Sequence, residues 1–165
     1  MNVLNMDEIK IECILHAFDG LEHLPEDIKG LMQQAIEARK KAYAPYSDFK
    51  VGAALLLDNG EVITGSNQEN ASYPSGLCAE RTAVYYAGAK YPESKILKMA
   101  ITAASNKEKT IEPIPPCGAC RQAIAEYEVK QKQPIEIYFM GESGKVIKSK
   151  SLENLLPLIF DRSVL

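Results

Sequence analysis

The chain has 165 residues, 46% of them hydrophobic and 25% charged, which is the composition of one globular domain with enough apolar side chains for a core. A net charge of -3 supplies none of the long-range attraction of a basic nucleic-acid binder, so a small-molecule substrate is favoured over a polynucleotide. No apolar run approaches the roughly 20 residues of a membrane span, and Met1 to Leu15 carry Asp7, Glu8, Lys10 and Glu12 through their apolar stretch, unlike a signal peptide; a cytoplasmic protein is expected.

Near the N-terminus, Ile9, Ile11, Cys13, Leu15 and Ala17 alternate with Lys10, Glu12, Ile14, His16 and Phe18, the period of an edge strand with one buried face. Residues 1–24 read as an extension contributing an extra strand, ahead of a single domain over residues 25–165. From Pro25 onward Ile28, Leu31, Met32, Ala35 and Ile36 recur at helical spacing; Pro25 suits a first turn and Pro45 bounds the run. Val51–Leu57 and Glu61–Ser66 flank Asp58-Asn59-Gly60, which predicts a hairpin closed by a primed turn, Asn-Gly supplying the positive backbone angles.

Further along, Ala79–Ala89 is rich in helix formers, Leu97–Ala103 is a short apolar run, Gly118–Tyr127 is helical and Ile135–Met140 is strand-like. Gly141–Gly144 turns the chain into Lys145–Lys150, and Ser151 is placed to cap a last helix carrying Leu152, Leu155 and Leu156. Strands and helices interleave, with hairpin-like pairs among them, so the expected fold is a three-layer α/β/α sandwich around a central mixed sheet.

Two segments carry the chemistry, Cys78-Ala79-Glu80-Arg81 and Pro115-Pro116-Cys117-Gly118-Ala119-Cys120, each at the start of a predicted helix. A C-x-x-C on a helix start puts two sulfurs on one turn, and a third from another helix start completes three corners of a tetrahedron around zinc. Three protein ligands with one exchangeable position is the arrangement of catalytic zinc. Glu80, two residues past Cys78, is close enough to take a proton from water there and pass it to a substrate nitrogen. Arg81 is placed to donate to the thiolates, whose three charges exceed those of the dication. A structural zinc site or a redox dithiol would also use C-x-x-C, but neither accounts for Glu80. Cys13 is expected among apolar neighbours as a small hydrophobe, and His16 and His23 as surface or turn residues without ligand spacing.

These motifs resemble those of the small cytidine deaminases, in the homotetrameric branch whose zinc is held by three cysteines, and the similarity runs from about Pro25 to the C-terminus. Tyr43-Ala44-Pro45-Tyr46-Ser47, Phe49 with Val51-Gly52-Ala53-Ala54, Asn67-Gln68-Glu69-Asn70, Cys78 to Ala83 and Pro116 to Gln122 all match. The resemblance implies hydrolytic deamination of cytidine and deoxycytidine with one zinc per subunit and no organic cofactor. It implies that Asn67 and Glu69 hydrogen-bond the ribose, that Phe49 packs on the pyrimidine, that Ala79 offers main-chain contacts to the base, and that Phe160 reaches the site of a neighbouring subunit. Another aminopyrimidine nucleoside, such as a blasticidin-type antibiotic, and a non-catalytic zinc module are the competing readings.

Overall fold

A computed structural model describes residues 6–165, so the first five residues of the expected extension lie outside the described range. Among the described residues there are six strands, β1 (Leu15–Phe18), β2 (Phe49–Leu57), β3 (Val62–Ser66), β4 (Ile96–Ser105), β5 (Glu136–Met140) and β6 (Val146–Ser149). Three α-helices accompany them, α1 (Glu26–Lys40), α2 (Ala79–Lys90) and α3 (Gly118–Gln131). The strands form one sheet in the order β1-β6-β5-β4-β2-β3. Its only parallel pair among the described residues is β4 with β5, joined by the crossover that contains α3. No helix of the described residues is long and apolar enough to cross a membrane.

Both faces of the sheet are covered, as the alternation along its strands requires. On one side α1 buries Ile28, Leu31, Met32 and Ala35 against Ala54, Ala100 and Tyr138. On the other, α2 and α3 bury Ala83, Val84, Ala87, Ile124 and Ala125 against Leu55, Met99, Ile101 and Ile137. Adjacent residues such as Ala54 and Leu55, or Met99 and Ala100, thus serve opposite cores, the two-residue period of a strand buried on both faces. This is the three-layer α/β/α sandwich with a mixed sheet that the interleaved elements predict.

Four local expectations are corrected. The N-terminal strand begins only at Leu15, because its partner β6 offers four residues for pairing. Residues 6–14 have no regular secondary structure, and Cys13 is exposed rather than packed among hydrophobes. The β2–β3 connection is not a primed turn, since Gly60 alone of its residues has positive φ (84). Gly60 N–H donates to Leu57 O at 3.1 Å and Leu57 N–H to Glu61 O at 2.9 Å, the arrangement of a three-residue loop with a glycine bulge. Ser151 does cap, its side chain accepting from Glu153 N–H, but the element it caps is a single 3-10 turn, Leu152–Asn154, because Pro157 cannot continue a helix.

Candidate metal centre and active site

The helix starts converge as their sequences predict. Cys78 is the N-cap of α2 and Cys117 the N-cap of α3, while Cys120 lies in the first turn of α3 and is fully buried. Both caps are extended (φ -72, ψ 158 and φ -66, ψ 168), and neither side chain makes a capping hydrogen bond. The thiols turn toward one another instead: Cys78 Sγ is 3.8 Å from Cys117 Sγ, Cys117 Sγ is 3.5 Å from Cys120 Sγ, and all three lie within 4.8 Å of one another.

Those separations test the metal directly. A disulfide needs sulfurs about 2.05 Å apart, whereas three sulfurs at tetrahedral corners, each about 2.3 Å from a zinc ion, stand about 3.8 Å apart. The donor set fits zinc, and Cys78, Cys117 and Cys120 are the residues that would hold it. Cys13, His16 and His23 lie outside the cluster, all three exposed.

Charge around Cys78 favours its thiolate. A hydrogen bond from Cys120 pulls Cys78 down to about 5 against the cost of burial, with Arg81 and Cys117 adding to the pull. The same bond, together with burial, holds Cys120 up. Arg81 Nη2 lies 3.9 Å from Cys78 Sγ; burial works against its charge, and attraction to Cys78 and Cys120 overrides that cost. The N-termini of α2 and α3 both direct positive potential at the cluster.

Glu80, in the first turn of α2, is only 4% exposed. Burial pushes its carboxyl up to about 7; its own main-chain N–H opposes the rise and the Cys78 thiolate adds to it. A carboxyl that exchanges a proton near neutrality is suited to carrying protons between water and a substrate nitrogen. Ala79, beside it, is fully buried.

A cavity of about 450 Å³ opens next to Cys78 and Arg81, lined also by Tyr46, Ser47, Asn67, Glu69 and Tyr73. Its polar wall is built from main chain. Tyr43 N–H donates to Asn67 O and Glu69 N–H to Tyr43 O, while Gln68 and Leu77 exchange bonds of 2.8 and 3.0 Å immediately before Cys78. The Asn67 side chain is 8% exposed and largely committed: Oδ1 accepts from Val51 N–H at 2.7 Å and Nδ2 donates to Phe49 O at 2.9 Å. One N–H and one lone pair remain for a ligand. Glu69 accepts from Tyr46 N–H at 2.9 Å, from Ser47 N–H at 3.3 Å and from the Ser47 hydroxyl. That hydroxyl, despite a small cost of burial, holds the carboxyl below its ordinary value, and the two N–H groups help it.

Phe49, half-buried, begins β2 and does not line the cavity of this copy. Phe160 is 62% exposed and also stands outside it, its carbonyl accepting from Gln122 Nε2 at 2.8 Å. Sequence reasoning did not single out Tyr73, whose ring centroid lies 6.2 Å from that of Tyr46 at the cavity wall. Its place three residues before Gly76 in the loop leading to Cys78 was the available signal.

Comparison with known proteins agrees with this geometry. The family model of the cytidine and deoxycytidylate deaminase zinc-binding region matches residues 25–133. A cytidine deaminase of Halalkalibacterium halodurans is 50% identical over 100 residues, 61% of this chain and 71% of that protein. One of Sporosarcina psychrophila is 38% identical over 136 residues, 82% of this chain and 93% of that protein. The crystal structure of cytidine deaminase from Burkholderia pseudomallei superimposes with a TM-score of 0.69 at 39% identity, covering 83% of this chain and 100% of that one.

Proposed function

The chain belongs to the cytidine and deoxycytidylate deaminase family, and from that membership we propose that it hydrolyses cytidine and deoxycytidine to uridine and deoxyuridine, releasing ammonia. The observation that carries the reading is the convergence of three sulfurs at zinc-like separations beside a buried carboxyl that exchanges protons near neutrality.

When bound by Cys78, Cys117 and Cys120, zinc supplies the Lewis acidity that lets water act as a nucleophile near neutral pH. Glu80 moves the protons: its carboxylate takes one from the water as the water oxygen bonds to C4, and delivers it to N3 of the pyrimidine. It then takes a second from the hydroxyl so added at C4 and passes it to the amino nitrogen, which departs as ammonia as the C4 carbonyl forms. Its burial excludes bulk water from these transfers. Arg81 balances the excess negative charge of the thiolates.

Substrate contacts fall to the cavity beside Cys78. Glu69, held ionised by the Ser47 turn, and the free N–H and lone pair of Asn67 bind the sugar hydroxyls. Phe49, at the start of β2 and outside the cavity lining, is assigned the packing on the base by family membership, and Ala79 the main-chain contacts to it. Phe160 serves the site of a neighbouring copy in a homotetramer, a role supported by its 62% exposure and by the 80% exposure of Leu158 nearby. Reduced cysteines suit a reducing compartment, and the reaction is placed in the cytoplasm, as a step of pyrimidine salvage.

Loss of cytidine absorbance, followed with and without a zinc chelator, tests the proposal. Chelator-sensitive turnover is expected, with metal content and activity falling together in Cys117→Ala; full zinc occupancy in that variant would argue against ligation. Light scattering of the purified chain tests the tetramer.

A further inference from the structure

Arg121 directly follows Cys120, the last cysteine of the cluster, but its side chain turns back along the chain. Nε donates to the Pro116 carbonyl at 2.8 Å, and Nη1 donates to the Leu155 carbonyl at 3.0 Å. We infer that Arg121 is a positioning residue for the metal-ligand turn, clamping the Pro116–Cys117 peptide to the C-terminal segment and so setting the direction of the Cys117 thiol. The inference rests on the reading that Cys78, Cys117 and Cys120 hold zinc.

Cys117 has few other restraints. Its side chain makes no capping bond, and the residue is exposed, so core packing does not hold it. Gly118, the next residue, has no neighbouring atom within 4 Å of where a Cβ would stand. Apart from the contacts of its thiol with the Cys78 and Cys120 sulfurs, its restraints among the described residues are main chain on either side of the residue. After it, Arg121 N–H donates to Cys117 O at 2.9 Å as the helix begins. Before it, the carbonyl of the buried Pro116 has the Arg121 guanidinium as its partner. That carbonyl belongs to the peptide plane that leads into Cys117, so fixing it fixes the backbone from which the thiol projects.

The fork of the guanidinium explains why an arginine stands here. Two donors in one plane reach two carbonyls from segments 34 residues or less from Arg121 in sequence, whereas a lysine ammonium supplies charge without that preset geometry. The next residue, Gln122, holds the same C-terminal segment again through Phe160 O. The first turn of α3 therefore bears metal ligands on one side and the C-terminal segment on the other.

Full-length Arg121→Lys and Arg121→Ala, loaded with zinc or with cobalt(II), test this, with Glu128→Gln as the control. Glu128 accepts from Leu152 N–H at 3.0 Å and from Ser151 Oγ at 2.6 Å, so it anchors the same C-terminal segment without touching Pro116. Both Arg121 variants are expected to release zinc to a chelator about 10-fold faster or more and to shift the thiolate-to-cobalt absorption. Glu128→Gln is expected to lower the melting temperature while leaving release rate and spectrum as in the unsubstituted chain. Arg121→Lys keeps the charge and tests the fork even if Arg121→Ala fails to fold. Unchanged release and spectrum in Arg121→Lys would overturn the inference, as would a Glu128→Gln effect on release equal to that of the Arg121 variants. Absence of thiolate-to-cobalt absorption in the unsubstituted chain would overturn the metal reading, and this inference with it.

Discussion

Arg81 Nη2 sits 3.9 Å from Sγ of Cys78, the N-cap of α2 one turn back, while Nε of the same guanidinium is buried without a hydrogen-bond partner among the described residues. Burying a cationic donor unpartnered is costly, so the attraction that keeps Arg81 there comes from the sulfurs. Three thiolates on one dication leave a net negative charge, which weakens the ion's pull on electrons of the reacting water. Arg81→Gln is therefore expected to lower kcat by about 10- to 100-fold with the fold retained. Steady-state kinetics set beside the zinc-to-protein ratio check this; an unchanged kcat at full zinc content would remove Arg81 from the electrostatics of the site.

Glu80→Gln keeps the volume of a side chain that is 4% exposed, so the packing of α2 on the sheet is preserved. The amide cannot carry protons. Deamination is expected to fall by about 10²- to 10⁴-fold, with zinc content and circular dichroism unchanged. Turnover near that of the unsubstituted chain would refute the proton-carrying role.

The metal cluster was legible because each part lies within one short motif at a helix start, where local spacing decides which side chains share a turn. Cys78, Cys117 and Cys120 need only two helix N-termini brought together, and the interleaved pattern already implied a sheet able to do that. Longer-range facts were less visible. Alternation from Ile9 to Phe18 reports amphipathic character but not the length of a partner, and β6 has only Val146–Ser149 to offer. Asn-Gly after Asp58 signals a turn, but whether Asn59 takes a positive φ depends on the bulge that the register of β2 and β3 imposes. The leucines at 152, 155 and 156 mimic a helical stripe, while Glu128 on α3 takes up Leu152 N–H and tethers the 3-10 turn. The commitment of Asn67 to the main chain of β2 arises from a partner 16 residues away, beyond any motif.

Gly65 on β3 shows how the sheet places Cys78 and Glu80. A Cβ there would stand 2.5 Å from Ala79 O and 2.7 Å from Ala83 N, both main-chain atoms of α2 that cannot swing aside. The helix start approaches the strand this closely only because the residue lacks a side chain. Gly65→Ala is expected to cost about 1–3 kcal/mol or more and, by pushing the first turn of α2 outward, to lower zinc content as well. Denaturant unfolding and metal analysis check the two effects together. A variant with full zinc and unaltered stability would show that the strand and helix tolerate separation.

The polar cluster between β5 and β6 sets a pH dependence that is separate from the site. Glu136 pairs with Lys148 Nζ and accepts from Tyr138 Oη at 3.0 Å, with the two charged side chains 32% and 19% exposed. Burial alone would raise the Glu136 carboxyl, but the bonds from Lys148 and Tyr138 override it and hold the carboxyl below its ordinary value of 4.5. For Lys148, burial alone would lower the ammonium, and Glu136 with Tyr138 raises it above 10.5. A carboxyl lowered on folding stabilises the fold fully above its unfolded value, and that contribution is lost as pH falls through the folded one. A lysine raised on folding contributes below 10.5, and its share is lost as pH rises through the folded value. Near neutrality both contributions are present. Glu136→Gln is therefore expected to lower the melting temperature at pH 7 by about 2–4 °C, the shift that ~1 kcal/mol produces in a chain of this size. Because the carboxylate of the unsubstituted chain is itself protonated in acid, the gap between the two proteins should shrink as pH falls below 4.5 and through the lowered folded value. Thermal melts from about pH 3 to about pH 8 measure it; a gap that stays constant across that range would mean that Glu136 stabilises the sheet by its shape and not by its charge.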